Sequence, residues 1–256
     1  KGNSNQYLKG GDIAPFTTPL DLWGTPAIYR AWALSIVGPK TPVPASAFVE
    51  NTIKTVTGRN GQPTRALSLH SRSKSPHTDL QAAKFQNAKM ESEPVFYQRA
   101  WIKFDPDTLA RGKREGERTF WQMFWEADAS PDYRIRLQLQ YDEKAGLYWQ
   151  VQGDVLSDAI PIWSATLKTV PVVLAPADDA SGWHRIEIWM DRPAGRFKAA
   201  IDGQLLIDHT GNLMGESRNR IDHLILAMVS GELSLGQILV DDLEIWSAPP
   251  PDAWKP

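Results

Sequence analysis

Between residues 133 and 152 the chain sets arginine, glutamine and tyrosine at every second position. Arg134, Arg136, Gln138 and Gln140 alternate with Ile135, Leu137 and Leu139; Tyr148, Gln150 and Gln152 alternate with Leu147, Trp149 and Val151. Side chains of a strand point alternately to its two faces, so the apolar set turns to a core and the polar set shares the other side. Guanidinium and primary amide groups are planar multiple donors that match sugar hydroxyls and carboxylates. One chemistry such a set can perform is β-elimination beside a carboxylate. That reaction needs a positive or hydrogen-bonding group on the carboxylate, a base for the carbon-bound proton and an acid for the leaving oxygen. Arg134, Arg136 and Gln138, with Lys103, are the candidates for the first role. Tyr148 is the candidate acid, base or both, and an adjacent arginine is expected to lower its phenol pKa. The plainer alternatives stay open: Tyr148 as a stacking platform, and the whole row as a solvated face with cross-strand pairs.

Other strands carry the same alternation. Ala100, Ile102 and Phe104 suit a core and leave Tyr97, Arg99, Trp101 and Lys103 on the opposite face; Ile186, Ile188 and Met190 leave Arg185, Glu187 and Trp189. In the segment from Phe120 to Glu126 both faces are bulky, so either Gln122 and Glu126 or the tryptophans turn outward. If all these strands lie in one sheet, Arg99, Trp101, Lys103, Gln122, Glu126, Gln140, Gln150 and Gln152 are substrate contacts around the Arg134–Tyr148 centre. Hydrolysis is the competing chemistry. It needs two carboxyls roughly 5–5.5 Å apart for retention or 6.5–9.5 Å for inversion. Glu126 with Asp128 or Glu187 are the pairs available, and Asp128 also reads as a turn residue. The five histidines, His70, His77, His184, His209 and His223, show no metal-ligand spacing. His184, at a strand start behind a tryptophan, reads as structural. There is no glycine-rich phosphate loop and no nucleophile elbow, which argues against nucleotide or serine-hydrolase chemistry and against an organic cofactor.

Composition narrows the partners. The 256 residues include no cysteine, which excludes disulfides and thiolate chemistry. A formal net charge of −2 is a poor match to nucleic acid. No apolar stretch reaches the length of a membrane span. Eleven tryptophans are an excess; large aromatic side chains fill cores, and their rings also stack on pyranose faces. The start at Lys1-Gly2-Asn3 reads as a trimmed product, consistent with export to the periplasm or the medium.

These groups must be positioned by short strands separated by frequent turns. Expected strands run from Phe48 to Val56, Thr64 to His70, Phe96 to Phe104, Thr119 to Glu126, Tyr133 to Tyr141, Leu147 to Gly153, Trp183 to Asp191, Arg196 to Ile201, Gln204 to Asp208, Ile221 to Val229 and Gln237 to Trp246. One or two shorter strands fall between Ile160 and Leu174. A short helix is expected around Leu80 to Met90. Tight turns fall at Gly58-Arg59-Asn60-Gly61 and Asp202-Gly203. Such spacing predicts an all-β, antiparallel two-sheet sandwich of jelly-roll type. The expected layout is one domain over 1–256: a loop-rich segment 1–47, a core sandwich 48–247 and a tail 248–256.

The runs WHRIEIWMDRPAGRFKAAIDGQLLID and ILVDDLEIW resemble the closing strands of concanavalin A-like jelly rolls, the laminin-G-like superfamily. Those at FYQRAWIKFDPD, FWQMFWEAD and YRIRLQLQYD resemble its polysaccharide lyases of the alginate, glucuronan and heparin types, in which a W-x-K-F strand enters the concave sheet. The similarity spans Tyr97 to Trp246 and its motifs are those of a fold. Two motifs depart from the relatives: Gln122-Met123-Phe124 lacks the histidine of the common alginate lyases, and Glu126-Ala127-Asp128-Ala129-Ser130-Pro131 lacks the second glutamate of family-16 hydrolases. The resemblance implies a monomeric, secreted protein that grips a polysaccharide, with uronate lyase as the leading activity. A non-catalytic carbohydrate-binding module is the rival, and a glycoside hydrolase or laminin-G-like interaction domain stands third. It also implies a structural calcium at Asp241; the alternative is that Asp241 and Asp242 only hydrogen-bond locally.

Overall fold

Alternation of apolar and polar residues gives fourteen strands among the described residues. The computed structural model describes residues 28–30, 49–71, 79–86, 95–107, 110, 119–129, 133–155, 161–211, 221–230, 236–246 and 249–253. The strands are β1 (Ile28–Arg30), β2 (Val49–Thr57), β3 (Pro63–Ser71), β4 (Asp79–Gln86), β5 (Val95–Phe104), β6 (Thr119–Ala129), β7 (Tyr133–Asp142), β8 (Gly146–Val155), β9 (Pro161–Leu167), β10 (Trp183–Asp191), β11 (Arg196–Ile201), β12 (Gln204–Thr210), β13 (Ile221–Ser230) and β14 (Gly236–Trp246). They form two seven-stranded sheets, β1-β4-β13-β6-β7-β8-β9 and β12-β11-β10-β5-β14-β3-β2. Every pairing between these strands is antiparallel. This is the two-sheet jelly-roll sandwich expected.

The expected helix is absent: Asp79–Gln86 is strand β4, held between β1 and β13. Leucine, alanine and lysine favour a helix locally, but an edge strand and a central strand both offer this segment ladder hydrogen bonds, and tertiary pairing overrides propensity. Most of the segment 1–47 and residue His77 lie outside the described residues.

The inner faces meet where the alternation placed them. Ile135, Leu137 and Leu139 of β7 and Trp149 and Val151 of β8 are fully buried, as are Phe104, Met190 and Phe197 of the opposing sheet. Aromatic contacts join the layers: Trp149 lies 6.0 Å from Phe104 and 4.8 Å edge-on to His184, and Trp163 stacks on His209 at 4.5 Å. The Trp149 indole N–H is satisfied by the Val170 carbonyl at 3.0 Å, which removes the cost of burying an unpaired donor. His184 is the structural residue expected. Its Nε2 accepts the Val173 N–H at 3.0 Å, and its Nδ1 faces Asp202 Oδ2 at 2.7 Å.

Residues 168–182 cross from the first sheet to the second and cover one end of the latter's outer face. There Trp183, Leu239, Ala66 and Val56 make a small apolar cluster with Trp101 and Ala177 against it. Gly182 has φ +79°, and a Cβ there would lie 2.6 Å from the Ala175 side chain, so only glycine closes this segment.

Candidate functional site

The register of β6, β7 and β8 assembles rows of polar positions on the outer face of the first sheet. Arg134 stands between Asp128 of β6 and Asp154 of β8, and Asp128 faces His223 of β13. The next row is Ile225, Glu126, Arg136, Gln152 and Ser164; the third is Met123, Gln138, Gln150 and Thr166; the fourth is Trp121, Gln140 and Tyr148. Of Gln122, Glu126, Asp128, Arg134 and His223 the backbone position alone is described.

A bulge between Met123 and Trp125 resolves the two-sided segment. Before it Gln122 pairs with Leu139, a core position; after it Trp125 pairs with Leu137 while Glu126 pairs with Arg136. Gln122 therefore leaves the candidate surface and Glu126 joins it. An extra residue in one strand reverses the faces beyond it, which is why no single alternation fits Phe120 to Glu126.

The amides of the third and fourth rows bond to one another. Gln138 Nε2 donates to Gln150 Oε1 at 2.6 Å and to Gln152 Oε1 at 3.1 Å, and Gln140 Nε2 donates to Gln150 Oε1 at 2.8 Å. Arg136, Gln138 and Gln152 are 5%, 2% and 5% exposed, so the middle of the face is a packed floor and not an open hollow. Gln140, Tyr148 and Gln150 remain half-buried at its rim. Among the described residues, the side-chain amide oxygen of Gln138 has no hydrogen-bond donor.

Tyr148 differs from expectation in two ways. Its row lies six residues along β7 from the row of Arg134, about 20 Å at ~3.3 Å per residue, so the two do not share a reacting atom. Partial burial, and then the charge of Asp142, push its phenol pKa above the ordinary tyrosine value. The cation beside it is Lys168, whose Nζ stands 5.0 Å from the ring centre. A phenol held protonated donates a hydrogen bond near neutral pH.

Arg99, Trp101 and Lys103 fall elsewhere. Strand β5 pairs with β10 and β14, so these residues lie on the outer face of the second sheet, across the core from Arg136 and Gln138. Alternation assigns a face within a sheet but not the sheet. Lys103 is also enclosed, 1% exposed, with its ammonium donating to the Asp179 carbonyl and lying over Trp183. Burial holds its pKa below the usual lysine value. Glu187 is likewise on the second sheet and buried, accepting from the Tyr97 hydroxyl and from Arg185 at 2.8 Å. It cannot flank one glycosidic bond together with Glu126.

Asp241 lies where the early turn 58–62 meets β14, beside a cavity of about 230 Å³. Its Oδ2 accepts from Thr64 at 3.0 Å and its Oδ1 from the Asp242 N–H at 2.9 Å, while Arg59 Nη2 binds Asp242 at 2.6 Å. Calcium takes six to eight oxygens. No three acidic or histidine side chains group together among the described residues, and the cation next to these two carboxylates is Arg59. Among the described residues the donor set is that of an arginine-neutralised acid pair.

No protein-family model and no curated protein sequence matches the chain. Among solved structures, the alginate lyase AlyC3 is 11% identical over 70% of this chain and 74% of its own, with TM-score 0.49. The catalytic domain of the glycoside hydrolase family 131 protein from Coprinopsis cinerea is 14% identical over 98% of both chains, with TM-score 0.47. The binding domain of botulinum neurotoxin serotype G is 13% identical over 77% of this chain and 43% of its own, with TM-score 0.40. Likenesses at this level transfer no chemistry.

Proposed function

We propose that the protein binds an acidic polysaccharide on the outer face of its first sheet and cleaves it by β-elimination at the rows of Arg134 and Arg136. One observation supports the reading: the register aligns Arg134 with Asp128 on the adjacent strand and with His223 one strand further, and Arg136 with Glu126. The Arg134 guanidinium neutralises the uronate carboxylate as it takes up enolate charge, while Arg136, 5% exposed, adds its charge from the packed floor. His223, beside Asp128, removes the proton next to that carboxylate, and the glycosidic oxygen leaves as the ring double bond forms. The proton taken by the imidazole passes to the leaving oxygen. Gln140, Gln150 and Tyr148, about 20 Å along the strand, hold sugars several units away. A glycan substrate of this kind is extracellular, which agrees with an exported protein.

The test is a panel of polyuronates and neutral glucans, followed by ultraviolet absorbance of unsaturated product and by retardation in substrate-containing gels. A lyase yields absorbing product, and His223→Ala lowers its turnover by about 10²–10⁴-fold while gel retardation persists. Absence of both product and retardation on every polymer refutes the proposal. Retardation without product identifies a binding module. A second reading has support in the strand alternation, which sets Glu126 and Asp128 on one face of β6, about 6.6 Å apart along the backbone, as a pair for hydrolysis. It gives new reducing ends without ultraviolet absorbance.

A further inference from the structure

The outer face of the second sheet carries a cleft that the proposed glycan site of the first does not use. Arg59 from the turn after β2, Arg99 from β5 and Arg185 from β10 line one cavity of about 200 Å³ together with Trp101, Asp242 and Asp252. Its volume is the liquid share of about seven waters at ~30 Å³ each, room for a single small ring. The charges around it are matched. Arg59 Nη2 binds Asp242 at 2.6 Å, and Arg99 Nη1 binds Asp252 Oδ2 at 2.8 Å. Arg185 Nη2 donates to the buried Glu187 carboxylate at 2.8 Å and to the Asp252 carbonyl at 3.3 Å. Glu244 of β14 stands in register with Arg99. Opposite charges this close cancel at a ligand, so the cleft favours a neutral molecule over an ion.

Matched charge still leaves hydrogen-bonding capacity. A guanidinium carries five N–H donors and a carboxylate about four lone-pair positions. Arg59 and Arg185 make their bonds here through Nη2, and the side chains of Asp242 and Asp252 are 54% and 68% exposed. Donors and acceptors therefore lie side by side around the cavity, in planar groups that suit neighbouring hydroxyls. Trp101 adds an aromatic wall. It packs against the Trp183 cluster, and Arg59 lies 4.3 Å over its ring. Such a surface takes the C–H groups of a pyranose, while the charged pairs take its hydroxyls. The frame is fixed in advance, which lowers the cost of binding. Glu187, beneath Arg185, also accepts from Tyr97. Asp252 sits on the turn Pro250–Ala253, closed by the Ala253 N–H to the Pro250 carbonyl at 2.9 Å, and Ala253 is buried.

We infer that this cleft binds one neutral sugar ring, with its hydroxyls on the arginine–aspartate pairs and its C–H groups against Trp101. It gives the sandwich a second glycan contact, on the opposite face from the first. The two are independent, and the second stands whether or not the first sheet cleaves anything.

Saturation-transfer NMR and calorimetric titration of the whole chain test this, with the methyl glycosides of glucose, galactose, mannose and N-acetylglucosamine, with cellotetraose and with free glucuronate. Saturable binding of at least one neutral sugar is expected, weakened several-fold by Asp242→Asn or Asp252→Asn, as the loss of a charged hydrogen bond requires. Binding of a methyl glycoside marks a site for the ring itself, whereas binding of cellotetraose alone marks a site for a ring within a chain; both support the inference. Absence of binding to every neutral sugar overturns it. So does binding that neither substitution changes, and so does glucuronate binding more tightly than the neutral sugars. Both aspartates are exposed, and asparagine tolerates the positive φ of Asp242, +44°, so the variants keep the fold.

Discussion

Removing the carboxylate of Asp202 should destabilise the fold without touching glycan chemistry, and the size of the loss follows from its contacts. Asp202 occupies the left-handed region, φ +49°, as the first residue of the two-residue turn between β11 and β12. Its Oδ1 accepts the Arg185 N–H at 2.7 Å and its Oδ2 faces His184 Nδ1 at 2.7 Å. The His184 ring is 4% exposed and its Nε2 already accepts from Val173, so the Nδ1–H has no other acceptor. Asp202→Ala thus loses two hydrogen bonds and strands a buried donor, together about 3 kcal/mol. Unfolding entropy near 2.1 cal/mol/K per residue gives about 0.5 kcal/mol per degree for 256 residues. The expected fall in Tm is about 6 °C. Asp202→Asn keeps an acceptor and tolerates positive φ, so it should lose less than half of that. Calorimetric melting of the three proteins, with gel retardation below the melting range, is the assay. A variant with wild-type Tm refutes the reasoning. So does a folded Asp202→Ala protein that has lost glycan turnover, because the His184–Asp202 pair would then be working chemically.

Asp208 accepts from Arg196 and Lys198, which hold its pKa below the usual carboxylate value. A depressed carboxylate stabilises above its unfolded pKa and stops doing so as pH falls through its folded value. Asp208→Asn should therefore cost about 1 kcal/mol at neutral pH by removing the charged acceptor of Arg196 and Lys198. That cost should fade below about pH 4 in acid-unfolding curves. Asp241 is the opposite case: burial, with the charge of Asp242, raises its pKa, so ionisation works against folding at neutral pH and the penalty disappears as pH falls. Asp241→Asn should raise Tm by no more than about 3 °C, and a chelator should leave Tm unchanged; a chelator-induced fall in Tm that Asp241→Asn abolishes would establish a metal at this carboxylate. Tyr148→Phe should weaken gel retardation several-fold while turnover at saturating polymer persists, and loss of turnover would return the phenol to the reacting centre.

Local alternation carried the fold because each strand's core face is apolar in strict sequence. Ile135, Leu137 and Leu139, or Ala100, Ile102 and Phe104, need no partner to be recognised, and all six are buried. What alternation does not encode is which strands meet. The polar faces of β5 and β7 look alike in sequence, yet β5 pairs with β10 and β14, and its Arg99, Trp101 and Lys103 belong to another surface. The β6 bulge is invisible for the same reason: Phe120 to Trp125 is bulky at every position except Gln122, so no apolar period marks the extra residue that exchanges Gln122 for Glu126. The histidine of the proposed site lay further still from sequence reach. His223 and Arg134 are separated by most of the second half of the chain, and only the β13–β6–β7 order brings them within two strands, about 10 Å at ~4.8 Å per strand. Charge state was equally non-local. The phenol of Tyr148 rises first through partial burial and then through the charge of Asp142, at the start of the β7–β8 turn. A polar row on one strand therefore specifies a surface, while the register with its neighbours decides which of its members stand together: along β7 it sets Arg134 beside Asp128 and His223 and Arg136 beside Glu126, and it places Tyr148 about 20 Å from the row of Arg134.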